Sequence, residues 1–210
     1  MYSPFFRMEP SITYVRILHA SPDAPPVDIY INNKLVVRRL SYKNFTEYLP
    51  LPSKIYNIKV FPTGTTDNPV INTNVFLPEE KIFTAAAIGP VEDISLKLIP
   101  EPRKPINPNK VMVRFIHLSP DAPPVDITLP DGTKIFDDVE YKEVTDYIEV
   151  DPGVYKIQAK IAGTDDVVLT VPRIHLKPNK FYSIYAVGFA DGKPPLQVLI
   201  PLDGNTYLNF

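Results

Sequence analysis

The sequence predicts an all-β protein made of two tandem antiparallel β-sandwich domains with immunoglobulin-like or related Greek-key topology. Three features lead to this prediction: a long internal repeat, short runs of alternating apolar and polar residues, and 25 prolines among 210 residues. Proline interrupts helices, and no stretch of ten or more residues keeps a helical stripe. About seven short strands in about 90 residues, separated by turn residues, are typical of a β-sandwich.

The internal repeat covers almost the whole chain. The segment from Arg16 to Ile29 recurs with few changes from Arg114 to Ile127. The similarity continues downstream, and both copies end on the string "LIP". Equivalent residues include Tyr42 and Tyr141, Tyr48 and Tyr147, Tyr56 and Tyr155, and Gly89 and Gly188. A whole domain is therefore duplicated.

The repeat also predicts the domain boundaries. We expect an N-terminal extension at 1–11, a first β-sandwich at 12–100, a linker at 101–110, a second β-sandwich at 111–201 and a C-terminal tail at 202–210. The linker "EPRKPINPNK" has three prolines. Such a segment stays close to polyproline II, so it should act as a semi-rigid spacer and restrict the relative orientation of the domains.

Alternation identifies the strands in order. "YVRILHA", "VDIYIN", "KLVVRRL", "NFTEYLPL", "IYNIKVFPTG", "KIFTAAAIG" and "ISLKLIP" read as strands of the first copy. In "VYKIQAKIAG" of the second copy, Tyr155 and Ile157 point one way and Lys156 the other, the period of a half-buried strand. Pro172 lies inside "VLTVPRIHL" and cannot donate to a ladder, which predicts an edge strand or a bulge there.

The repeated string "SPDAPPVD" is a turn between two strands. Pro22 favours the second position of a type I turn, Asp23 can bond local backbone, and Pro25 keeps Ala24 extended. The strand period places Arg16 and Asp28 on outer faces and the preceding histidine near the rim of the core. The string is therefore expected to form a rigid corner.

Two interpretations of the corner remain open. In the first, the histidine is a partly buried neutral imidazole that bonds the backbone of the corner or a nearby aspartate. In the second, the corner binds a small polar molecule or a cation. The ligand-binding residues would then be His19, Asp23, Asp28, His117, Asp121 and Asp126. The spacing matches no recognised metal loop, so we predict no metal site and no cofactor. His19, Ser21 and Asp23 lie too close together around a proline to reach the geometry of a catalytic triad, so we predict no catalytic residue.

Charge and composition exclude several classes of partner. The formal net charge is -2, from 22 basic and 24 acidic residues without a run of one sign, which disfavours nucleic acid. No window approaches the apolar length of a membrane span, so no membrane insertion is expected. The chain has no cysteine, which removes disulfides and thiol chemistry. The N-terminus shows no secretory signal, so we expect a chain that is either made in the cytoplasm without a signal or already trimmed.

The strings "HASPDAPPVDIYIN" and "HLSPDAPPVDITLP" closely resemble the signature of a bacterial family known as domain of unknown function 4397, here in two tandem copies. The resemblance covers about residues 12 to 201. It implies a β-sandwich module of the bacterial cell envelope, without an established activity or ligand. A spore coat protein is one form of this expectation, and the cytoplasm is the alternative location.

These observations together predict a non-catalytic structural or interaction protein of a bacterial cell or spore surface, and not an enzyme. Its partner is expected to be a protein or a surface polymer, with self-association as a further expectation. The extensions "MYSPFFRMEP" and "LDGNTYLNF" are rich in aromatic residues and lie outside the repeats, so either could pair with a neighbour's strand edge. The alternative is the small-ligand or cation-binding module with the histidine and aspartate corner as its site.

Overall fold

The computed structural model describes residues 11–208, which form two β-sandwiches of two four-stranded sheets each. This confirms the predicted fold class. The first sandwich contains β1 (Ile12–His19), β2 (Val27–Ile31), β3 (Lys34–Leu40), β4 (Leu49–Pro52), β5 (Lys54–Pro62), β6 (Ile71–Leu77), β7 (Ile82–Ile88) and β8 (Ser95–Pro100). The second contains β9 (Val111–His117), β10 (Val125–Thr128), β11 (Lys134–Val139), β12 (Ile148–Val150), β13 (Gly153–Ile161), β14 (Val167–Leu176), β15 (Lys180–Val187) and β16 (Gln197–Leu199).

Strand order is the same in both sandwiches. One sheet of each sandwich faces the other sandwich and is called inner sheet 1 (β4-β1-β7-β8) or inner sheet 2 (β12-β9-β15-β16). The remaining two are outer sheet 1 (β3-β2-β5-β6) and outer sheet 2 (β11-β10-β13-β14). The pairs β1 with β7 and β9 with β15 are parallel, whereas the other pairs of these strands are antiparallel. The sandwiches are therefore not purely antiparallel.

Each sandwich is filled by the apolar residues that alternate along its strands. In the first, Ile17 of β1 packs with Ile29 of β2 and Val60 of β5, and Val15 of β1 packs with Ile31 and Tyr56. In the second, a single buried cluster includes Phe115 of the equivalent strand. Completely burying one such side chain contributes about 1.5–3 kcal/mol. Alternation was therefore a reliable guide to the side of each strand that faces its own core.

A separate apolar cluster joins the two inner sheets. Its buried members come from both sandwiches, and Phe45, Tyr42, Val144 and Leu199 pack around them. The buried members are Leu18, Ala20, Ala86, Ile88, Ile99, Ile116, Leu118, Tyr185 and Val187. Each inner sheet thus has one face on its own core and the opposite face covered by the other sandwich. The two sandwiches pack directly against each other.

The segment after β16 belongs to this packing. Leu202 forms a bridge with Tyr182, and the backbone N–H of Asp203 donates to the carbonyl of Phe181 at 2.9 Å. A short 3-10 turn follows at Gly204–Thr206. The described part of the predicted tail therefore lies against the second sandwich, whereas the predicted extension at 1–10 lies outside the described residues.

Irregular backbone occurs where the sequence contains turn and edge signals. Asn32 and Asn33 have φ of 49° and 63° and turn the β2–β3 hairpin, as expected for a two-residue type I′ turn. Strand β14 is an edge strand, and its register with β13 shifts beside Pro172 and Arg173, which confirms the prediction for Pro172. Within residues 11–208, no helix is long and apolar enough to cross a bilayer.

Candidate functional site

Each repeated corner follows a fully enclosed histidine. His19 is 0% exposed, and its Nε2 lies 3.1 Å from the carbonyl oxygen of Pro25. His117 is 1% exposed, and its Nε2 lies 3.3 Å from the carbonyl oxygen of Pro123. A carbonyl only accepts, so Nε2 carries the proton. Burial lowers the pKa of both imidazoles. The two rings are therefore neutral side chains that hold the proline loop.

The first aspartate of each corner bonds the loop after the central parallel strand. Asp23 Oδ1 accepts a hydrogen bond from the backbone N–H of Val91 at 2.8 Å. Asp121 accepts from the backbone N–H groups of Ala190 at 2.7 Å and Asp191 at 3.2 Å. Each carboxylate thus connects its corner to a neighbouring loop.

The second aspartate of the first corner holds a bulge and a turn. Asp28 Oδ1 accepts from the backbone N–H of Arg39 at 2.8 Å and from the Thr63 hydroxyl at 3.0 Å, and Oδ2 accepts from the Gly64 N–H at 3.3 Å. Arg39 has φ of 55°. Burial acts to raise the pKa of Asp28, but these donors stabilise the carboxylate and the net shift is downward.

The equivalent Asp126 accepts the corresponding two backbone hydrogen bonds, and a lysine takes the place of the threonine hydroxyl. It accepts from the backbone N–H of Asp138 at 2.8 Å and of Gly163 at 3.3 Å, and Lys134 Nζ lies 2.8 Å from Oδ2. Burial opposes ionisation, yet Lys134 and the two N–H groups lower the pKa of Asp126 to about 2. Asp138 has φ of 48°, so it repeats the left-handed position of Arg39.

Two residues expected on outer faces lie on those faces but are not exposed to solvent. Asp28 is only 7% exposed, because the bulge at Arg39 and the turn at Thr63 close over its carboxylate. Arg16 is only 3% exposed, because the other sandwich covers its side of the strand. Strand alternation gives the correct face in both cases but does not show what covers that face.

The structure does not gather the six predicted ligand-binding residues into a metal-binding cluster. In the part of the chain that the structure describes, no group of three or more His, Cys, Asp or Glu side chains could hold a metal ion. Each corner instead connects a histidine, a loop and a bulge through backbone hydrogen bonds. These contacts are the ones that the structural interpretation of the corner requires.

Sequence reasoning missed a buried charge cluster between the inner sheets. Arg16 donates from Nε to the Thr84 hydroxyl, from Nη1 to the Leu202 carbonyl and from Nη2 to Asp203 Oδ1, each at 2.7 Å. Glu101 Oε1 lies 3.3 Å from the same guanidinium. An arginine of the first sandwich is therefore bonded to the segment that follows the last strand of the second.

Arg114 makes the reciprocal contacts. It donates from Nε to the Ser183 hydroxyl at 2.7 Å and from Nη1 to the Pro100 carbonyl of the first sandwich at 2.6 Å. Its Nη2 lies 3.5 Å from Asp203 Oδ2, an ion pair without a hydrogen bond. Its guanidinium also lies 4.6 Å from the centre of the Tyr147 ring. The recurrence of Arg16 at Arg114 was the signal in the sequence that pointed to a shared role.

The two carboxylates of the cluster are not equivalent. Asp203 contacts both arginines and accepts from the hydroxyls of Tyr147 and Ser183. Glu101 accepts from Thr84, Tyr48 and the Gly204 N–H. Burial and the charge of Asp203 raise the pKa of Glu101, although Arg16 acts in the opposite direction. The charged groups of this cluster thus bond one another and link the two sandwiches.

The face of outer sheet 1 that points away from the molecule carries a different set of side chains. Asn57 of β5 donates from Nδ2 to the amide oxygens of Asn72 and Asn74 on β6, each at 3.1 Å. Beside them, Ile55 is 64% exposed and Phe76, its partner across the ladder, is 61% exposed. A row of amides thus lies next to an exposed apolar pair.

More polar and aromatic groups extend this face. The rings of Tyr30 and Phe61 meet edge to face at 5.3 Å, and Tyr30 is opposite Lys59 in the ladder. Lys59 donates to the side-chain oxygen of Asn33 at 3.0 Å. We call this surface the amide face. It consists of Asn57, Asn72, Asn74, Ile55 and Phe76, with the adjoining Tyr30 and Lys59.

Outer sheet 2 lacks this surface. At the positions facing outward on β13 and β14, Val154 is opposite His175 and Gln158 is opposite Thr170. Lys160 bonds Asp165 at 2.9 Å. The amide row and the exposed aromatic ring therefore occur on one of two equivalent sheets.

Neither core has room for a ligand. The voids between the sheets are about 30 Å³ in the first sandwich and about 10 and 30 Å³ in the second, with apolar linings. Such volumes hold one or two water molecules at most, and apolar voids of this kind stay dry. Among the described residues, contact with a partner is therefore confined to the surface.

Several solved structures show a distant likeness to this chain. Among them are a streptococcal virulence factor described as binding alpha-glucan (12% identity, TM-score 0.27, 94% of this chain and 100% of that chain), the Bacillus anthracis TIE protein (16%, 0.27, 85% and 34%), and CBMbc, a family CBM26 module of Eubacterium rectale Amy13K in complex with maltoheptaose (8%, 0.28, 92% and 99%). At these TM-scores the likeness carries no conclusion about this chain. No curated protein matches the sequence.

Comparison with protein families gives one clear result. The model described as "Domain of unknown function (DUF4397)" matches residues 13–128 and again residues 120–206. Together the two matches span nearly all of the described chain, in agreement with the two sandwiches and their repeated corners. The chain therefore belongs to the DUF4397 family and carries two tandem copies of its domain.

Proposed function

We propose that the chain is a non-catalytic binding module of a bacterial cell or spore surface, and that its amide face binds a neutral polysaccharide. The observation that carries this proposal is the amide row of Asn57, Asn72 and Asn74 beside exposed Phe76. This surface is present on only one of two sheets with the same strand order.

The chemistry of the amide face fits a neutral, hydroxyl-rich polymer. Each side-chain amide can donate and accept, as the hydroxyl groups of a sugar require. The face contributes one cation, Lys59, so it does not select an anionic polymer such as nucleic acid. The exposed apolar area is limited to Ile55 and Phe76, less than the apolar centre of a typical protein interface. A sugar ring offers an apolar face to Phe76 while its hydroxyls meet the amides.

The fate of the ionisable groups supports a non-catalytic role. His19 and His117 hold backbone carbonyls, and the aspartates of both corners accept from backbone N–H groups. The buried charges between the sandwiches bond one another. A group with a perturbed pKa is a stronger candidate for catalysis when it also lies in a cleft. His19, His117, Asp28 and Asp126 are buried in the corners, and Arg16, Arg114 and Asp203 are buried between the inner sheets.

Binding is tested by sedimentation with insoluble glucans and with purified Gram-positive cell walls. We expect the intact chain to sediment with at least one neutral polymer and the variant Asn57→Ala/Asn74→Ala/Phe76→Ala to remain in solution. The matched control is Lys156→Ala/Thr170→Ala/His175→Ala on outer sheet 2, which should sediment like the original chain. If the amide-face variant sediments as well as the original chain, this face is not the binding site.

Location is tested separately, by fractionation of the source cells through growth and sporulation. The proposal expects the protein in envelope or spore fractions. Recovery in the vegetative cytoplasm alone would contradict a surface role while leaving the binding measurement valid.

A further inference from the structure

Strand β6 is an edge strand with the composition of a central strand. It lies at the end of outer sheet 1 and, among residues 11–208, pairs only with β5. Its sequence "INTNVFL" has no charge, proline or glycine, and its ladder with β5 runs from Ile71 to Leu77 without a register shift. Proteins normally protect such an edge, because its free N–H and C=O groups pair readily with another strand.

The other edge strands of the four sheets are protected. Strands β4, β12 and β16 have three or four residues, and β4 contains two prolines. Strands β3, β8 and β11 each contain at least one lysine, and β3 and β11 also have a register shift. Within the described chain, β6 is therefore the longest flat edge without a protecting residue.

The equivalent strand of the second sandwich shows how such protection is built. Strand β14 contains Pro172, which removes a donor, followed by Arg173 with φ of 55°. Its register with β13 shifts at this point. In β6 the corresponding stretch contains Thr73 and Asn74 and remains regular. The difference between the copies leaves an edge that can accept a strand on one side of the molecule.

We propose that β6 pairs antiparallel with β6 of a second copy of this chain, around a two-fold axis at Asn74, so that the two outer sheets 1 form one continuous sheet. A two-fold axis requires a surface to be complementary to itself. In this register Asn74 is opposite the second copy's Asn74, and each amide offers both a donor and an acceptor. Asn72 is opposite the second copy's Phe76, so no like charges meet.

The pairing accounts for the surface beside the edge. The second copy's Asn72 lies next to Phe76 and covers part of a ring that is 61% exposed in one chain. The amide rows of the two copies also become one row, because Asn57 and Asn74 are ladder partners in each. A polymer that contacts both copies would gain avidity from their fixed spacing.

A cysteine cross-link tests the register directly. The chain has no cysteine, so Asn74→Cys introduces its sole thiol. Residues directly opposite in an antiparallel pair have Cα atoms about 4.5–5.5 Å apart, which suits a disulfide. We expect rapid oxidation to a covalent dimer without any polymer present. Thr170→Cys on exposed β14 is the matched control and should cross-link only at the rate of random collision.

Sedimentation equilibrium provides an independent measurement. We expect the original chain to dimerise with concentration, and Asn74→Lys to weaken the dimer about tenfold or more, since it places two ammonium groups opposite each other. Thr170→Lys should leave dimerisation unchanged. A monomer at all concentrations, or a dimer that Asn74→Lys does not weaken, overturns the proposal. Because no polysaccharide is used, this result is independent of whether the amide face binds one.

Discussion

The two sandwiches agree where they fold and pack, and differ where they face outward. Both use an enclosed histidine, an aspartate at a left-handed bulge and an arginine that crosses to the other sandwich. The outer sheets have the same strand order, yet only the first carries the amide face and an unprotected edge. The shared features are those that packing demands. The difference therefore coincides with the surface to which we assign the proposed binding function.

A second difference lies inside the buried charge cluster. Asp203 contacts Arg16 and Arg114, whereas Glu101 makes a salt bridge with Arg16 alone. Removing one partner of a buried ion pair leaves an uncompensated charge, which is more costly than replacing the whole pair by apolar groups. Both arginines therefore depend on Asp203, and Arg16 alone has a second carboxylate, Glu101.

The largest expected effect tests this dependence. Asp203→Asn should lower the free energy of unfolding by about 3–5 kcal/mol, because both guanidinium groups stay buried without their shared anion. Glu101→Gln should cost less, about 1–2 kcal/mol, because the amide keeps hydrogen-bonding capacity and Arg16 retains Asp203. Urea unfolding of the two variants measures the difference. An equal loss in both would mean that the carboxylates share the charges evenly.

The second prediction concerns what the two corners have in common. Since burial lowers the pKa of His19 and His117, the unfolded chain takes up protons below about pH 6.5 that the folded chain does not. The free energy of unfolding should therefore fall as the pH is lowered from 7 to 5, by up to about 1.4 kcal/mol per pH unit for each histidine. Thermal unfolding at a series of pH values measures this slope.

Histidine replacements show whether the corners cause the slope. In His19→Gln/His117→Gln the free energy of unfolding should depend much less on pH between pH 5 and pH 7. Each single variant should lose a similar part of this pH dependence. His175→Gln, at an exposed position, is the control and should retain the slope. If the double variant keeps the full pH dependence, the imidazoles are not the groups that resist protonation.

The bulge aspartates should give a third, smaller effect. Asp28→Ala and Asp126→Ala each leave a left-handed N–H without its acceptor, at a cost of about 1–3 kcal/mol. The pKa of Asp126 is lowered to about 2, so its contribution should persist above about pH 4 and disappear as the pH falls toward 2. Unfolding of both variants at pH 7 and of the original chain at pH 2–4 checks this.

These variants also test the ligand-binding interpretation of the corner. Calorimetric titration with calcium, zinc and simple sugars should give the same heat for the original chain and for the Asp28→Ala variant. A cation signal that is lost in this variant, with the free energy of unfolding unchanged, would show that the corner binds a ligand and has no structural role. A structural role predicts the reverse, a loss of stability with no change in binding.

Much of this organisation could be predicted from the sequence, since it depends on local chemistry. The alternation from Tyr155 to Ile161 marked β13, and Pro172 marked an edge with a bulge. The corner was recognisable because its prolines and aspartates act on their own neighbours. Burial of Arg16 was not predictable, because it depends on a second sandwich about a hundred residues away in sequence. Periodicity alone cannot distinguish a face open to solvent from one covered by another domain.

The amide face was missed for a related reason. Asn57 and Asn74 lie in different strands, and only the β5–β6 register brings their amides together. The parallel pairing of β1 with β7 likewise depends on strand order, which alternation does not encode. Alternation therefore does not predict which strands pair with each other. The proposed binding surface is formed by side chains that such pairing brings together.

The smallest expected effect on stability separates binding from folding. Asn72→Ala and Phe76→Ser change side chains that are exposed in a single chain, so each should alter the free energy of unfolding by no more than about 0.5 kcal/mol. A comparable change, Val154→Ser at an exposed position of outer sheet 2, should be equally mild. Measured at low concentration, a loss above about 1 kcal/mol in Phe76→Ser alone would mean that the ring supports the fold. A neutral effect on folding together with lost sedimentation on polysaccharide would show that the two outer sheets differ in binding and not in stability.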